Sequence, residues 1–403
     1  MRRIARVLLV CFVFAIPWEY SLDLGAPFGN IARILGLATA LVAVPALLQS
    51  AHMKRLSALH WLTAALYLWF CFSFFWTKSP HATLLHLRWY PQEMMLVWLV
   101  WEFTDGANEL WSLIWAWLAG SWVLAILTLA TFVLSVSQAG QVRFVASGQD
   151  PNDVARFLDF GFPVAMLLIG RSGGRIPLAL AYGYFPLGFG CVLLTASRSG
   201  LLVALVALAG CGLFALVQHP RRVAAGAVAV VVAAGLILTA VPEETIGRLN
   251  SVAELWQRGD FNQRVNIWSA GWRAFKEAPV AGHGAGSFVA AAALAPDDTA
   301  HNTPLTILVE GGLFAFLPAS AILFVCCSAI GRSRRSVGTV LAILMSVWIL
   351  SSLVGSIAEN RITWLFFGIA AVSGRLGRND RDELSHLFDA DLIDCSRERM
   401  EVG

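Results

Sequence analysis

The chain has 403 residues, 58% hydrophobic and only 14% charged, with 29 Lys and Arg against 26 Asp and Glu. Soluble domains carry roughly 25% charged residues, so a water-soluble fold is excluded. The net charge of +3 is small, and no basic run interleaved with aromatics suggests a nucleic-acid partner, so none is expected.

What remains is an all-α polytopic membrane protein, because only helices that satisfy their own backbone bury this much apolar chain in a bilayer. The first residues, MRRIARVLLVCFVFAIPW, resemble a secretory signal, a basic start followed by an apolar run. Trp18, Glu19 and Tyr20 follow where small residues would mark cleavage, so the segment is predicted as an uncleaved span over 5–21. Hydropathy predicts further spans at 29–49, 58–77, 83–103, 109–137, 154–170, 176–196, 199–218, 222–241, 303–330, 337–357 and 361–375, about twelve in all. The expected organisation is a membrane region over 1–241, a larger loop region with short helices over 242–302, a second membrane region over 303–375 and a mixed-charge tail over 376–403. The seven cysteines show no metal or disulfide spacing and read as small buried hydrophobes.

Loop charges set the orientation. Arg2, Arg3 and Arg6, Lys54 and Arg55, Arg171 and Arg175, Arg221 and Arg222, and Arg332, Arg334 and Arg335 fall on one side, which the positive-inside rule makes cytoplasmic. The opposite face then collects 138–153, the turn 197–200, the 242–302 region and the turn near Asn360. Polar chemistry gathered between apolar helices points to function.

Arg198 lies in TASRSG (195–200), between two spans with almost no loop. There it either snorkels to the interface or offers a bidentate fork to a phosphate. Arg264 opens a segment whose Val265, Ile267, Trp268, Trp272 and Phe275 fit one face of an interfacial helix, ended by Pro279 and Gly282. An arginine at a helix start, where the dipole already favours negative charge, suits an anion. The AGHGAGSF stretch (281–288) lacks the strand before it and the GK[ST] after it that a nucleotide loop needs. His301 and Asn302 precede Pro304, so Asn302 caps the next span and His301 hangs at its mouth as a candidate general base. Glu310 is an intramembrane carboxylate two turns further on. Residues 141–157 add Arg143, Asp150, Asn152 and Arg156, residues 358–364 add Glu359 and Arg361, and Lys78 and Arg88 flank the third span. Many cations around one histidine, without a metal-ligand cluster or a DxD pair, point to a polyanionic ligand handled with no metal and no cofactor. The expected catalytic residues are His301, Arg264 and Arg198, with Arg143, Asn152, Arg88, Asn302, Glu310 and Arg361 binding substrate.

The order of these motifs resembles the O-antigen ligase and O-antigen polymerase superfamily of bacterial envelope glycosyltransferases. It runs from Arg143, Gly148, Pro151 and Asn152, through T-x-SRSG, to the QR of 263–264 with its downstream Trp, Pro and Gly residues. It ends in HN followed by Leu305, Leu308 and Glu310. The likeness covers about 140–365. It implies a GT-C-like fold in the bacterial inner membrane with its active site facing the periplasm. It also implies transfer of a glycan from undecaprenyl pyrophosphate to an acceptor hydroxyl: lipid A–core for a ligase, a growing lipid-linked chain for a polymerase. His301, Arg198 and Arg264 match the family's histidine and two arginines. The loop region here, about sixty residues, is short for such a protein. A protein O-oligosaccharyltransferase shares these motifs, whereas a transporter calls for matching inverted halves, and the sequence shows none.

Overall fold

The protein is described by a computed structural model covering residues 1–25, 28–50, 53–135, 141–170, 174–218, 220–250, 264–296 and 298–378. Its helices are α1 (Arg2–Ala15, continued by a 3-10 turn, Ile16–Ser21), α2 (Ile31–Ser50), α3 (Ala58–Ser73), α4 (Pro80–Phe103), α5 (Ala107–Ser135), α6 (Pro151–Ile169), α7 (Arg175–Leu194), α8 (Arg198–Gln218) and α9 (Pro220–Leu238). The loop region holds α10 (Glu243–Asn250), α11 (Arg264–Glu277) and the short α12 (Phe288–Ala291). The chain then returns through α13 (Thr303–Arg332), α14 (Arg335–Leu353) and a last helix, α15, over 361–378. Among the described residues the one extended pairing is an isolated bridge between Asp23 and Asn30. The tail from 379 onward, with Cys395, lies outside the described residues; the other six cysteines are free thiols.

The fold is all-α and polytopic, as predicted, and every predicted span falls on a helix. Among the described residues, 7 helices are both long and apolar enough to cross a membrane, α3 and part of α9 being apolar but shorter. Two longer helices miss that mark for a physical reason: α4 carries His86, Arg88, Glu93 and Glu102, and α6 carries Asp153, Arg156 and Asp159. These ionisable side chains dilute the apolarity of both helices.

Helix α6 is the centre of the bundle, buried continuously from Val154 to Leu168 and packed by α5, α7, α8 and α14. Its Phe160 stacks on Phe366 of α15 with ring centroids 5.1 Å apart, and Trp117 of α5 meets the same ring edge-on at 5.0 Å. Outward faces carry exposed Leu41, Leu48, Phe75, Leu134 and Val217, an apolar surface suited to lipid.

Charge knots close both ends. At one end the last carbonyls of α4, which lack helical partners, are capped by cations. Lys54 Nζ donates to the carbonyls of Trp101 (3.1 Å), Glu102 (2.7 Å) and Thr104 (2.9 Å) and pairs with Asp105 at 2.7 Å. Arg375 of α15 donates to the Trp101 carbonyl at 3.1 Å, and Arg2 pairs with Glu102 at 3.1 Å. At the other end α13 starts beside the end of α14: Thr303 Oγ1 donates to the Gly355 carbonyl and accepts from the Ile357 amide, both at 2.8 Å. The starts of α4, α6, α8 and α13 share this second end with the glycine loop.

Candidate functional site

The TASRSG turn shapes the first pole. Helix α7 stops at Leu194, Ala196 takes a left-handed φ of 48°, and Ser197 Oγ accepts from the Gly200 amide at 3.2 Å to start α8. Arg198 therefore sits in the first turn of α8, where its Nε donates to the Arg248 carbonyl at 2.9 Å. Arg248 answers by donating its Nε to the Ala196 carbonyl at 3.3 Å. Arg143 Nε holds the Thr195 carbonyl at 3.0 Å, while its Nη2 donates to Asn152 Oδ1 at 3.2 Å. That same Asn152 oxygen accepts from Ser197 Oγ at 2.9 Å. Burial, with the charges of Arg248 and Arg198 close by, pushes the Arg143 guanidinium below its usual range, despite relief from Asp150. Three guanidiniums crowded around one turn favour an anion that gathers them.

The second pole surrounds His301. Asp150 caps α6 by accepting from the amides of Asn152 (2.8 Å) and Asp153 (3.3 Å). Arg156, 9% exposed, pairs with Asp153 at 2.6 Å and lies against the backbone of Gly355. Half-buried Arg264 begins α11 within electrostatic reach of Arg156. His301 is held at φ 44°, a left-handed conformation that costs a side-chain-bearing residue of order 1–3 kcal/mol and recurs at functional sites. Its Nε2 meets Thr299 Oγ1 at 2.8 Å. Burial first, then the Arg264 and Arg156 charges, hold the imidazole below its ordinary 6.5, with Asp150 and Asp153 acting the other way. His301 is thus a neutral ring beside two arginines. Asp150 is felt by both Arg143 and His301 and so joins the poles.

The glycine loop forms a roof. Helix α13 breaks at Gly312 (φ 60°), and the loop takes over the lost helical bonds. His283 and Gly284 donate their amides to the carbonyls of Val309 (2.9 Å) and Glu310 (2.8 Å), and the amides of Leu313 and Phe314 turn to Pro279 (2.9 Å) and Val280 (3.2 Å). A side chain at Gly282 would strike the Glu310 carbonyl, and one at Gly312 the Val280 carbonyl, so both positions demand glycine. The loop is also tied to the α3–α4 turn, with Ala285 N on Ser73 Oγ at 3.0 Å and Thr83 Oγ1 on the Ala285 carbonyl at 2.6 Å.

Of the residues expected from sequence, Arg198, Arg143 and Asn152 meet at the first pole, and Arg264, His301 and Asn302 at the second. Asn302 caps α13 by accepting from Leu305 N at 2.9 Å and donates to the Leu353 carbonyl at 3.3 Å. Three others have different surroundings. Glu310 accepts from the Phe288 amide at 3.2 Å and neighbours His86 and Glu359, so its carboxylate braces the roof. Arg361 forms a buried ion pair with Glu19. Arg88 lies exposed along α4, its carbonyl accepting from Gln92 Nε2 at 2.8 Å. Arg156, named with the polar residues of 141–157 but not among the expected catalytic or binding residues, joins the site, and so does Arg248, which was not singled out. Arg156 is one helical turn beyond Asn152, a spacing that puts both on one face of α6, whereas nothing in the sequence around Arg248 marks it.

No curated protein matches the chain. Residues 183–320 match the family model described as O-Antigen ligase. That segment runs from α7 into α13 and contains Arg198, Arg248, Arg264, the glycine loop and His301. Over this part of the chain, which holds Arg198, Arg264 and His301, the protein is similar to the O-antigen ligase family.

Proposed function

We propose that the protein is an O-antigen ligase that moves a glycan from undecaprenyl pyrophosphate to a hydroxyl of lipid A–core at the periplasmic face of the bacterial inner membrane. In this reading the helices within 1–241 and 303–375 make twelve spans and 242–302 lies at the outer surface. The observation that carries it is the convergence of Arg198, Arg264 and His301, from three separate segments, at one end of the bundle.

The chemistry follows from that convergence. Arg198 and Arg264, supported by Arg143, hold the diphosphate by charge-assisted forks. The acceptor hydroxyl attacks the anomeric carbon from the face opposite the diphosphate, the C–O bond to the leaving group breaks and the centre inverts. Charge that builds on the departing diphosphate is met by guanidiniums already in place, which supply without a metal ion the stabilisation such groups require. Neutral His301 orients the reacting oxygen through its ring nitrogens.

The test is reconstituted transfer. Purified protein is mixed with undecaprenyl-pyrophosphate glycan and lipid A–core, with and without EDTA, and the products are separated on a gel. Glycosylated lipid A that forms in EDTA, and drops about a hundredfold to a thousandfold in Arg264→Ala, is the expected outcome. Longer lipid-linked chains with lipid A untouched would make the protein a polymerase, and full activity in His301→Ala would remove the histidine from the mechanism.

A further inference from the structure

The site described above has arginines for the leaving group but is poorly supplied with a base. His301 sits between Arg264 and Arg156, and gaining a proton there would set a third cation beside two. The acceptor hydroxyl must nonetheless lose its proton as the new glycosidic bond forms.

A carboxylate stands nearby on the segment that backs the second pole. Residues 354–360 join α14 to α15 and are fixed along their length. Thr303 holds Gly355 and Ile357, the Thr363 hydroxyl donates to the Ile357 carbonyl at 2.6 Å, and Trp364 Nε1 donates to the Ala358 carbonyl at 2.9 Å. Gly355 touches Arg156, and Glu359 is four residues on, no more than about 14 Å along an extended chain. Glu359 Oε1 lies 2.8 Å from His86 Nε2, with side-chain exposures of 35% for Glu359 and 17% for His86. His86 Nδ1 lies 3.3 Å from the Ala82 carbonyl. Among the described residues Glu359 Oε2 has no hydrogen-bond partner. The roof covers this pair, since Gly286 packs on the His86 ring. A carboxylate pinned through one oxygen, open at the other, partly exposed and backed by an imidazole is the arrangement of a positioned general base.

We infer that Glu359, held by His86, is a further catalytic residue: it takes the proton from the acceptor hydroxyl of the sugar or glycolipid that receives the glycan. The inference rests on the transferase reading above. As the acceptor oxygen bonds to the anomeric carbon, its O–H pair becomes the new C–O bond and the proton passes to Glu359 Oε2. The anomeric C–O pair leaves with the diphosphate, and Glu359 then returns its proton to solvent or to the released diphosphate. Tyr90 and Glu93 of α4 and Glu310 of α13 lie within electrostatic reach of the pair.

The test uses the full-length protein in nanodiscs with the lipid-linked donor and lipid A–core. Glu359→Gln keeps the size and shape of the side chain and should lower kcat by about a hundredfold or more while donor KM and directly measured donor binding stay at wild-type values. Glu359→Ala should regain part of its kcat in sodium formate, which supplies a carboxylate to the vacated space, and a merely structural ion pair would not respond. Wild-type kcat in Glu359→Gln, or a loss that formate does not recover, overturns the inference. Absence of transfer by the wild-type protein instead overturns the transferase reading, so the two failures are told apart.

Discussion

Guanidinium groups in this protein do two jobs that a sequence writes identically. Arg361, 11% exposed at its side chain, is sealed against Glu19, 342 positions away in the chain, and joins α15 to the end of α1. Arg198 is anchored through Nε to a backbone carbonyl, which leaves its terminal nitrogens for an anion. His301 shows the electrostatic result of such company. Because burial and then Arg264 and Arg156 lower its basicity, the neutral ring persists to more acidic pH than an ordinary histidine. Carbethoxylation by diethyl pyrocarbonate, which needs the neutral ring, should therefore titrate with a midpoint below 6.5 at His301, and Arg264→Gln should move that midpoint upward. A midpoint at or above 6.5 in the wild type would place those cations elsewhere. The polar residues of the site were legible in the sequence as types and as one face, since Arg143, Arg198, Arg264 and His301 all stood out. Their partners were not: whether Glu310 serves a histidine or a loop amide depends on the break at Gly312, which a run of apolar residues conceals.

At the scale of the element, every span drawn from hydropathy falls on a helix because length and apolarity are local properties. Hydropathy weakened on α4 and α6, where ionisable side chains face inward along a helix that is otherwise apolar. The end of α4 shows how tertiary context repairs such a helix. Lys54, from the α2–α3 connection, replaces three missing donors for its last carbonyls, a role that a positive-inside count assigns only to topology. Lys54→Met keeps the stem and removes those donors and the Asp105 pair. It should cost about 1.5–3 kcal/mol and lower the Tm in detergent by several degrees, without affecting donor binding at the far end. An unchanged Tm would mean that Arg375, which shares the Trp101 carbonyl, suffices alone.

For the whole molecule, the arrangement separates a structural end from the end that holds the proposed site. Charges at the structural end are largely paired, Arg2 with Glu102 and Asp105, and Lys54 with Asp105. At the other end Arg143, Arg198 and Arg248 crowd one turn, and on the proposed reading they meet the charge of a ligand. The roof over that end is spliced into α13, each exchanging the hydrogen bonds the other lacks. Amides of His283, Gly284, Leu313 and Phe314 should accordingly exchange with deuterium as slowly as those of the α6 core, and fast exchange there would reveal a moving cover. On the ligase reading proposed above, a roof held shut leaves the plane of the bilayer as the way in, so two lipid-anchored reactants would find each other by lateral drift along a surface and turnover would follow their crowding in the leaflet, with no wait for the protein to open and shut.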